Sequence, residues 1–223
     1  MKKMSKKQQL KKTGIKSKER VKQFAEVYTP GWCVSKMLNM IKEHGEAFKN
    51  INETFLDPCC GDGRFPIQIL ERKMYLVDSL YPTKEEYKTL TIIALSKIYC
   101  VDIQADNVQE CRDRLLRSLK NKYLKRYNER IPAEHEENLK YILSTNILVG
   151  NFLTLLDNDN RPLIVCDYEY NGDHVIRNDY YFSDIQKDPQ NNKPFKIHDK
   201  VLIKDISTIG GDEVWLLKNI WKN

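Results

Sequence analysis

Asp57-Pro-Cys-Cys-Gly-Asp-Gly-Arg-Phe65 is the stretch whose reading decides the fold. It follows Thr54-Phe-Leu56, a short apolar run that reads as the end of a buried strand. Behind it comes Pro66-Ile-Gln-Ile-Leu-Glu-Arg-Lys73, whose apolar positions have helical spacing. A strand that breaks at two closely spaced glycines and re-enters a helix is a nucleotide-type cofactor turn. Glycine adopts positive φ and lets ligand atoms approach the backbone. The N-terminus of the following helix favours anionic groups.

With Asp57-Pro58 ahead of it, Cys59 and Cys60 leading into Gly61 and Gly63, and Phe65 behind, the segment closely resembles motif I of the S-adenosylmethionine-dependent N6-adenine DNA methyltransferases. The resemblance implies an α/β, Rossmann-like methyltransferase fold, with a mostly parallel sheet and helices on both faces. It places Asp57, Pro58, Cys59, Gly61 and Gly63 around the methionine end of S-adenosyl-L-methionine. Upstream, Glu26-Val-Tyr-Thr-Pro30 leads into a helix predicted over residues 32–41, with Val34, Met37, Leu38 and Ile41 apolar. On its own, Thr29-Pro30 reads as an ordinary helix entry, a hydroxyl cap and a first-turn proline. Ahead of the glycine turn it resembles motif X of the same family. That resemblance implies that Tyr28, Thr29 and Pro30 close over the methionine moiety.

Downstream, Ile98-Tyr-Cys-Val-Asp-Ile103 reads as a second strand with an acid at its tip. A strand-end carboxylate can accept from both ribose hydroxyls of a nucleoside cofactor. Asp102 fits that role, Ile103 can pack on the adenine face, and the pair resembles the family's motif II. A helix is predicted over residues 107–119, with Val108, Cys111, Leu115 and Leu119 on one face. Gly63 and Asp102 lie 39 residues apart, against the ~20 of a compact βαβ unit. Helical signals over residues 85–97 predict an inserted helix. Further on, Asn146-Ile-Leu-Val-Gly-Asn-Phe-Leu153 resembles the motif III region. Asn151 stands where the family carries an acid that accepts from the adenine amino group, and Phe152 where it carries a stacking aromatic.

The family's catalytic (Asn/Asp/Ser)-Pro-Pro-(Tyr/Phe) signature is absent from the chain. Its place is taken by Asp167-Tyr-Glu-Tyr170, after the apolar Leu163-Ile-Val-Cys166. If this is a degenerate catalytic loop, Asp167 accepts from the target amino group and Tyr170 stacks on a flipped adenine. The alternative is a β-strand running into an Asn171-Gly172 hairpin turn, with residues 175–182 returning.

Residues 1–22 hold ten Lys/Arg and one Glu, a local charge of +9, out of a total of +6. The remaining 27 basic and 30 acidic residues sum to −3. This places the basic character in an N-terminal arm suited to phosphate attraction, or to solvation alone. Six cysteines without a Cys-x-x-Cys pair or a nearby histidine argue against a zinc site and for a reducing, cytoplasmic setting. No apolar run approaches a membrane span. The expected organisation is a basic arm (1–22), a methyltransferase-like domain (23–182) and a C-terminal extension (183–223).

The reading is a DNA methyltransferase acting on adenine N6, using S-adenosyl-L-methionine and no metal. Its partners are DNA and a specificity or restriction subunit. The alternative is a catalytically silent relative that binds cofactor and DNA. A dinucleotide oxidoreductase is disfavoured, because no third helix glycine follows the turn.

Overall fold

The computed structural model describes residues 17–24, 27–45, 47–188 and 190–210. Most of the basic arm and the run Glu213-Val-Trp-Leu-Leu-Lys-Asn-Ile-Trp221 lie outside them. The chain divides into two units, residues 1–45 and 46–223. Residues 183–210, expected as an extension packed on the domain, fall in the second unit. The first unit holds α1 (Lys18–Phe24) and α2 (Gly31–His44). Helix α2 buries Val34 and Leu38, while Met37 and Ile41 are exposed. Pro30 stands at its N-cap position, and no side chain caps the helix.

The second unit begins as a parallel α/β layer. Strands β1 (Phe55–Asp57), β2 (Ile98–Asp102) and β3 (Ile147–Val149) pair side by side in that order. Asp57 is opposite Cys100, and Asp102 opposite Val149. Parallel neighbours require crossovers, and each here contains two helices. Helices α3 (Arg64–Ser79) and α4 (Lys84–Ser96) join β1 to β2, and α5 (Ala105–Tyr127) and α6 (Ala133–Asn146) join β2 to β3. Helix α4 is the inserted helix that doubles the distance from glycine turn to strand-end acid.

Local chemistry explains these boundaries. Thr83 accepts from the Glu86 N–H while the Glu86 carboxylate reaches back to the Thr83 N–H, a capping box that starts α4. Thr83→Ala should lower Tm by a few degrees, measurable by calorimetry, because the Glu86 N–H loses its side-chain acceptor. Helix α5 stops at Asn128, whose left-handed backbone (φ 53°) sends its N–H to the Leu124 carbonyl. Central β2 is almost wholly buried from Ile98 to Val101, as an inner parallel strand must be.

The second half of this unit departs from a mostly parallel sheet. Strands β4 (Ile164–Asn171) and β5 (His174–Tyr181) form an antiparallel hairpin turning at Gly172-Asp173. Beyond helix α7 (Phe182–Lys187), β6 (Lys196–Ile197) and β7 (Val201–Leu202) both pair with β5. A 3-10 segment follows at Ile203–Thr208. The unit is thus α/β with a three-stranded parallel sheet and a separate antiparallel one. The second sheet is tied to the helices through a buried knot. Arg177 grips both oxygens of Asp179 at 2.6 Å, His198 Nε2 meets Asp179 Oδ2 at 2.7 Å, and Arg177 Nη1 donates to the Tyr141 hydroxyl at 2.6 Å. Among the described residues no helix is long and apolar enough to cross a membrane.

Candidate functional site

The three parallel strands end together, so Asp57, Asp102 and the residues after Val149 share one edge. From β1 the chain makes a tight turn in which Gly61 (φ 52°) and Gly63 (φ 86°) are both left-handed. The turn is bolted to β2. Cys60 N–H donates to the Val101 carbonyl at 3.1 Å, and Gly61 N–H to Asp102 Oδ2 at 2.8 Å. Gly63 lies so close to α5 that an added Cβ would stand 2.7 Å from Cys111 Sγ and 3.0 Å from Cys111 Cα. Gly63→Ala combines that clash with a strained φ. It should cost about 1–3 kcal/mol of folding free energy, read by urea denaturation.

Asp102 is where the strand-end acid was expected, but its carboxylate is occupied by the fold. Besides Gly61, it accepts from Gln104 N–H (2.9 Å) and Asn107 Nδ2 (3.4 Å), which ties the glycine turn to the first turn of α5. Asp102 therefore positions the loop and keeps little capacity for two ribose hydroxyls. Ile103, next to it, is half exposed, as an apolar surface for a base would be.

Asp57 behaves in the opposite way. Its Oδ1 accepts from Cys59 N–H at 3.2 Å, but its Oδ2 is buried with no hydrogen-bond partner among the described residues. Burial raises its carboxyl to about 6 against the opposing Cys59 hydrogen bond, with help from the negative charges of Cys111 and Asp102. A buried carboxylate oxygen without a donor is costly unless a ligand supplies one. Helix α3 starts directly after the turn with no side-chain cap and no acid in its first turn, so the positive end of its dipole favours an anion. Pro58 and Cys59 are exposed on the outer side of the turn.

Asn151 and Phe152 follow β3 at the same edge, and both are partly used locally. Asn151 Oδ1 accepts from Leu153 N–H at 2.9 Å, and the Phe152 ring stands edge-on to Phe182 at 5.2 Å. Gly150 before them admits no side chain, since a Cβ would meet Leu163 Cδ2 at 2.7 Å and the Leu156 carbonyl at 2.9 Å. Tyr28, Thr29 and Pro30 belong to the first unit, with Tyr28 and Thr29 half-buried and Pro30 exposed.

Asp167 and Tyr170 are not at this edge. Lys97, just before β2, donates to Asp167 Oδ1 (3.1 Å) and to the Tyr168 carbonyl (3.0 Å). The Tyr170 hydroxyl donates to Ser96 Oγ at 2.7 Å, and Tyr99 OH to the Cys166 carbonyl at 3.0 Å. Lys97 and Asp102 are at opposite ends of β2, about 16 Å apart at strand rise. The tetrapeptide is a β4 strand of the hairpin, docked on the wrong end of the sheet for a catalytic loop. The reason lies in its pattern: alternating residues serve two faces, and Tyr168, whose hydroxyl meets Thr145 Oγ1 at 2.7 Å, is wholly buried.

Sequence reading missed two features of the edge. Asp62, between the glycines, is buried and paired with Arg64 (3.2 Å) and Arg114 (2.7 Å). Beneath the turn, Cys60, Cys100 and Cys111 bring their sulfurs within 4.8 Å of one another. The Cys111 thiol is held down to about 5, first by hydrogen bonds from the Cys100 and Cys60 thiols and then by the charges of Arg114 and Arg112; the other two thiols are pushed up. Spacing could not reveal this cluster, because the three come from a loop, a strand and a helix.

A cavity of about 720 Å³ is elsewhere, between α4, α6, the β4–β5 turn and the 3-10 segment. His135 lines it with Nε2 unpartnered among the described residues, and its ring is held down to about 4 by burial and by the charge of Lys88. Comparison of the chain with protein-family models, with curated proteins and with solved structures finds no match.

Proposed function

We propose that this chain is a methyltransferase-like protein of Rossmann-like fold. It binds S-adenosyl-L-methionine at the shared edge of β1, β2 and β3, and does not methylate DNA by itself. The observation that carries the cofactor reading is the orphaned, buried Oδ2 of Asp57 beside a left-handed glycine turn and an uncapped helix start. A methionine end is a zwitterion. Its ammonium supplies the donor that Asp57 lacks, and its carboxylate suits the amide end of α3. Ile103 offers an apolar surface for adenine.

The silent reading is favoured over an active N6-adenine methyltransferase by the position of Asp167 and Tyr170. Both are spent on contacts with Lys97 and Ser96 at the far end of β2. The chain then serves as a cofactor- and DNA-binding subunit or restriction decoy, with DNA drawn by the basic arm. The exposed concavity between α3 and α5, where Arg114, Arg117, Lys122 and Lys125 outnumber Glu71, adds net positive surface.

Calorimetry with S-adenosyl-L-methionine and its demethylated product should show binding to the full chain. Labelled cofactor should transfer no methyl group to mixed DNA. No heat at millimolar ligand ends the cofactor reading. Methyl transfer that survives Asp167→Asn with Tyr170→Phe would restore an active enzyme with its catalytic loop elsewhere. Deleting residues 1–22 should weaken DNA binding and flatten its salt dependence, the log–log slope falling by about 0.9 for every phosphate the arm had neutralised. Unchanged DNA binding would make the arm a solvated tail.

A further inference from the structure

We propose that Cys60, Cys100 and Cys111 form a three-thiolate site for a thiophilic divalent cation of the zinc or cadmium class, seated directly behind the glycine turn. The three sulfurs are within 4.8 Å of one another, and among the described residues no carboxylate or imidazole joins the group. With metal–sulfur bonds of about 2.3 Å, a trigonal or tetrahedral ion needs sulfurs roughly 4 Å apart. Closing the trio on an ion therefore takes a shift of under about 1 Å. All-sulfur donors select soft ions over magnesium or calcium.

The surroundings suit the charge such a centre carries. Capture forms three metal–sulfur bonds and releases to solvent the protons that the sulfurs still carry. A divalent ion with three thiolates is left with one net negative charge. Two guanidiniums, those of Arg112 and Arg114, act electrostatically on Cys111. Arg112 is itself buried and fixed by donating to the carbonyls of Leu143, Ser144 and Ile147. The Arg112 cation is thus provided by the fold without rearrangement, while Arg114 shares its charge with Asp62 and Glu110.

The placement couples the site to the cofactor turn. Cys60 carries the turn's first anchor, its N–H on Val101, and its carbonyl accepts from Gly63 N–H at 3.0 Å. Gly63 in turn rests on Cys111. An ion bridging Cys60 to Cys100 in β2 and Cys111 in α5 cross-links the loop, the central strand and the helix that together shape the ligand edge. Apolar packing of three cysteines is the competing account, since a free cysteine packs as a small hydrophobe. The two differ in what the cluster does with metal.

The test uses the reduced full chain titrated with cadmium ion, following the thiolate-to-metal charge-transfer band in the ultraviolet. One equivalent should saturate the band. Cys100→Ala and Cys111→Ala should each weaken binding by at least about 100-fold. Cys33→Ser, Cys59→Ser and Cys166→Ala, which alter cysteines outside the trio, should leave it unchanged. Circular dichroism checks that each variant is folded. Should the trio variants fail to fold, the wild-type chain decides alone: zinc ion should raise its Tm, and bound cadmium should give one NMR resonance in the all-sulfur region. No saturable band, or one that survives in a folded Cys100→Ala/Cys111→Ala chain, overturns the proposal and leaves the trio as core. None of these readouts involves the cofactor, so the outcome is independent of cofactor binding.

Discussion

Asp57→Asn is expected to stabilise the ligand-free chain and to weaken its binding of S-adenosyl-L-methionine. The carboxyl has a folded pKa of about 6, above its unfolded value of 3.8, because burial disfavours the charged form. For an acid with a raised pKa, folding is penalised above about 6, and the penalty fades as pH falls through 6 towards 3.8. A shift of that size corresponds to about 3 kcal/mol. The amide replaces the charge but also needs a partner, so the net gain at neutral pH should be about 1–2 kcal/mol. Urea denaturation of the two proteins side by side should show the variant ahead at pH 7.5 and the difference closing by pH 4. Calorimetry should show the ligand bound roughly 10- to 100-fold more weakly, because a charge-assisted hydrogen bond is gone. Opposite signs for stability and binding are the signature of a residue held ready for a ligand. A variant that binds as well as wild type would leave Asp57 as unexplained strain.

Asp179→Asn should be among the most destabilising single changes in the second unit. Asp179 is buried, and it neutralises a buried Arg177 through two 2.6 Å hydrogen bonds while also meeting His198. The amide keeps the shape but loses the charge, so the Arg177 guanidinium is left uncompensated in a site it cannot leave. Such losses cost about 3–5 kcal/mol, enough to consume much of a typical domain's stability. The effect should appear as a large fall in the urea midpoint. Asp179 has its carboxyl below the usual range despite burial, because Arg177 and His198 hold the ionised form. Its contribution is therefore present above the unfolded carboxyl value and lost only as pH falls through the lowered one. A midpoint within a few tenths of a molar of wild type would show that the knot adds little beyond burial.

Much of the first half of the second unit was legible because its signals are local. A strand ending in Asp57, left-handed glycines at 61 and 63, an inserted helix and an acid at the tip of β2 all follow from residue type and spacing within short windows. Observed boundaries lie within a few residues of those expected, except that α5 runs on to Tyr127, where Asn128 ends it. The loop from β3 was legible as a position but not as a role, since Asn151 and Phe152 spend their groups on Leu153 and Phe182.

By itself, the sequence determined the strand–glycine–helix turn, the edge it occupies and the location of the net positive charge in the arm, all properties of contiguous residues. The tertiary structure decided what depends on distant partners. Asp167-Tyr-Glu-Tyr170 could be read as a loop or as a strand until Lys97, Ser96 and Thr145 claimed its polar groups at the far end of β2. Asp102 looked free until Gly61, 41 residues away, was found on its carboxylate. Three cysteines from a loop, a strand and a helix met only once the crossover had brought α5 over the turn. Hydrogen-bond donors and sulfur ligands are satisfied by proximity in space, and spacing along the chain carries no record of that proximity across a crossover.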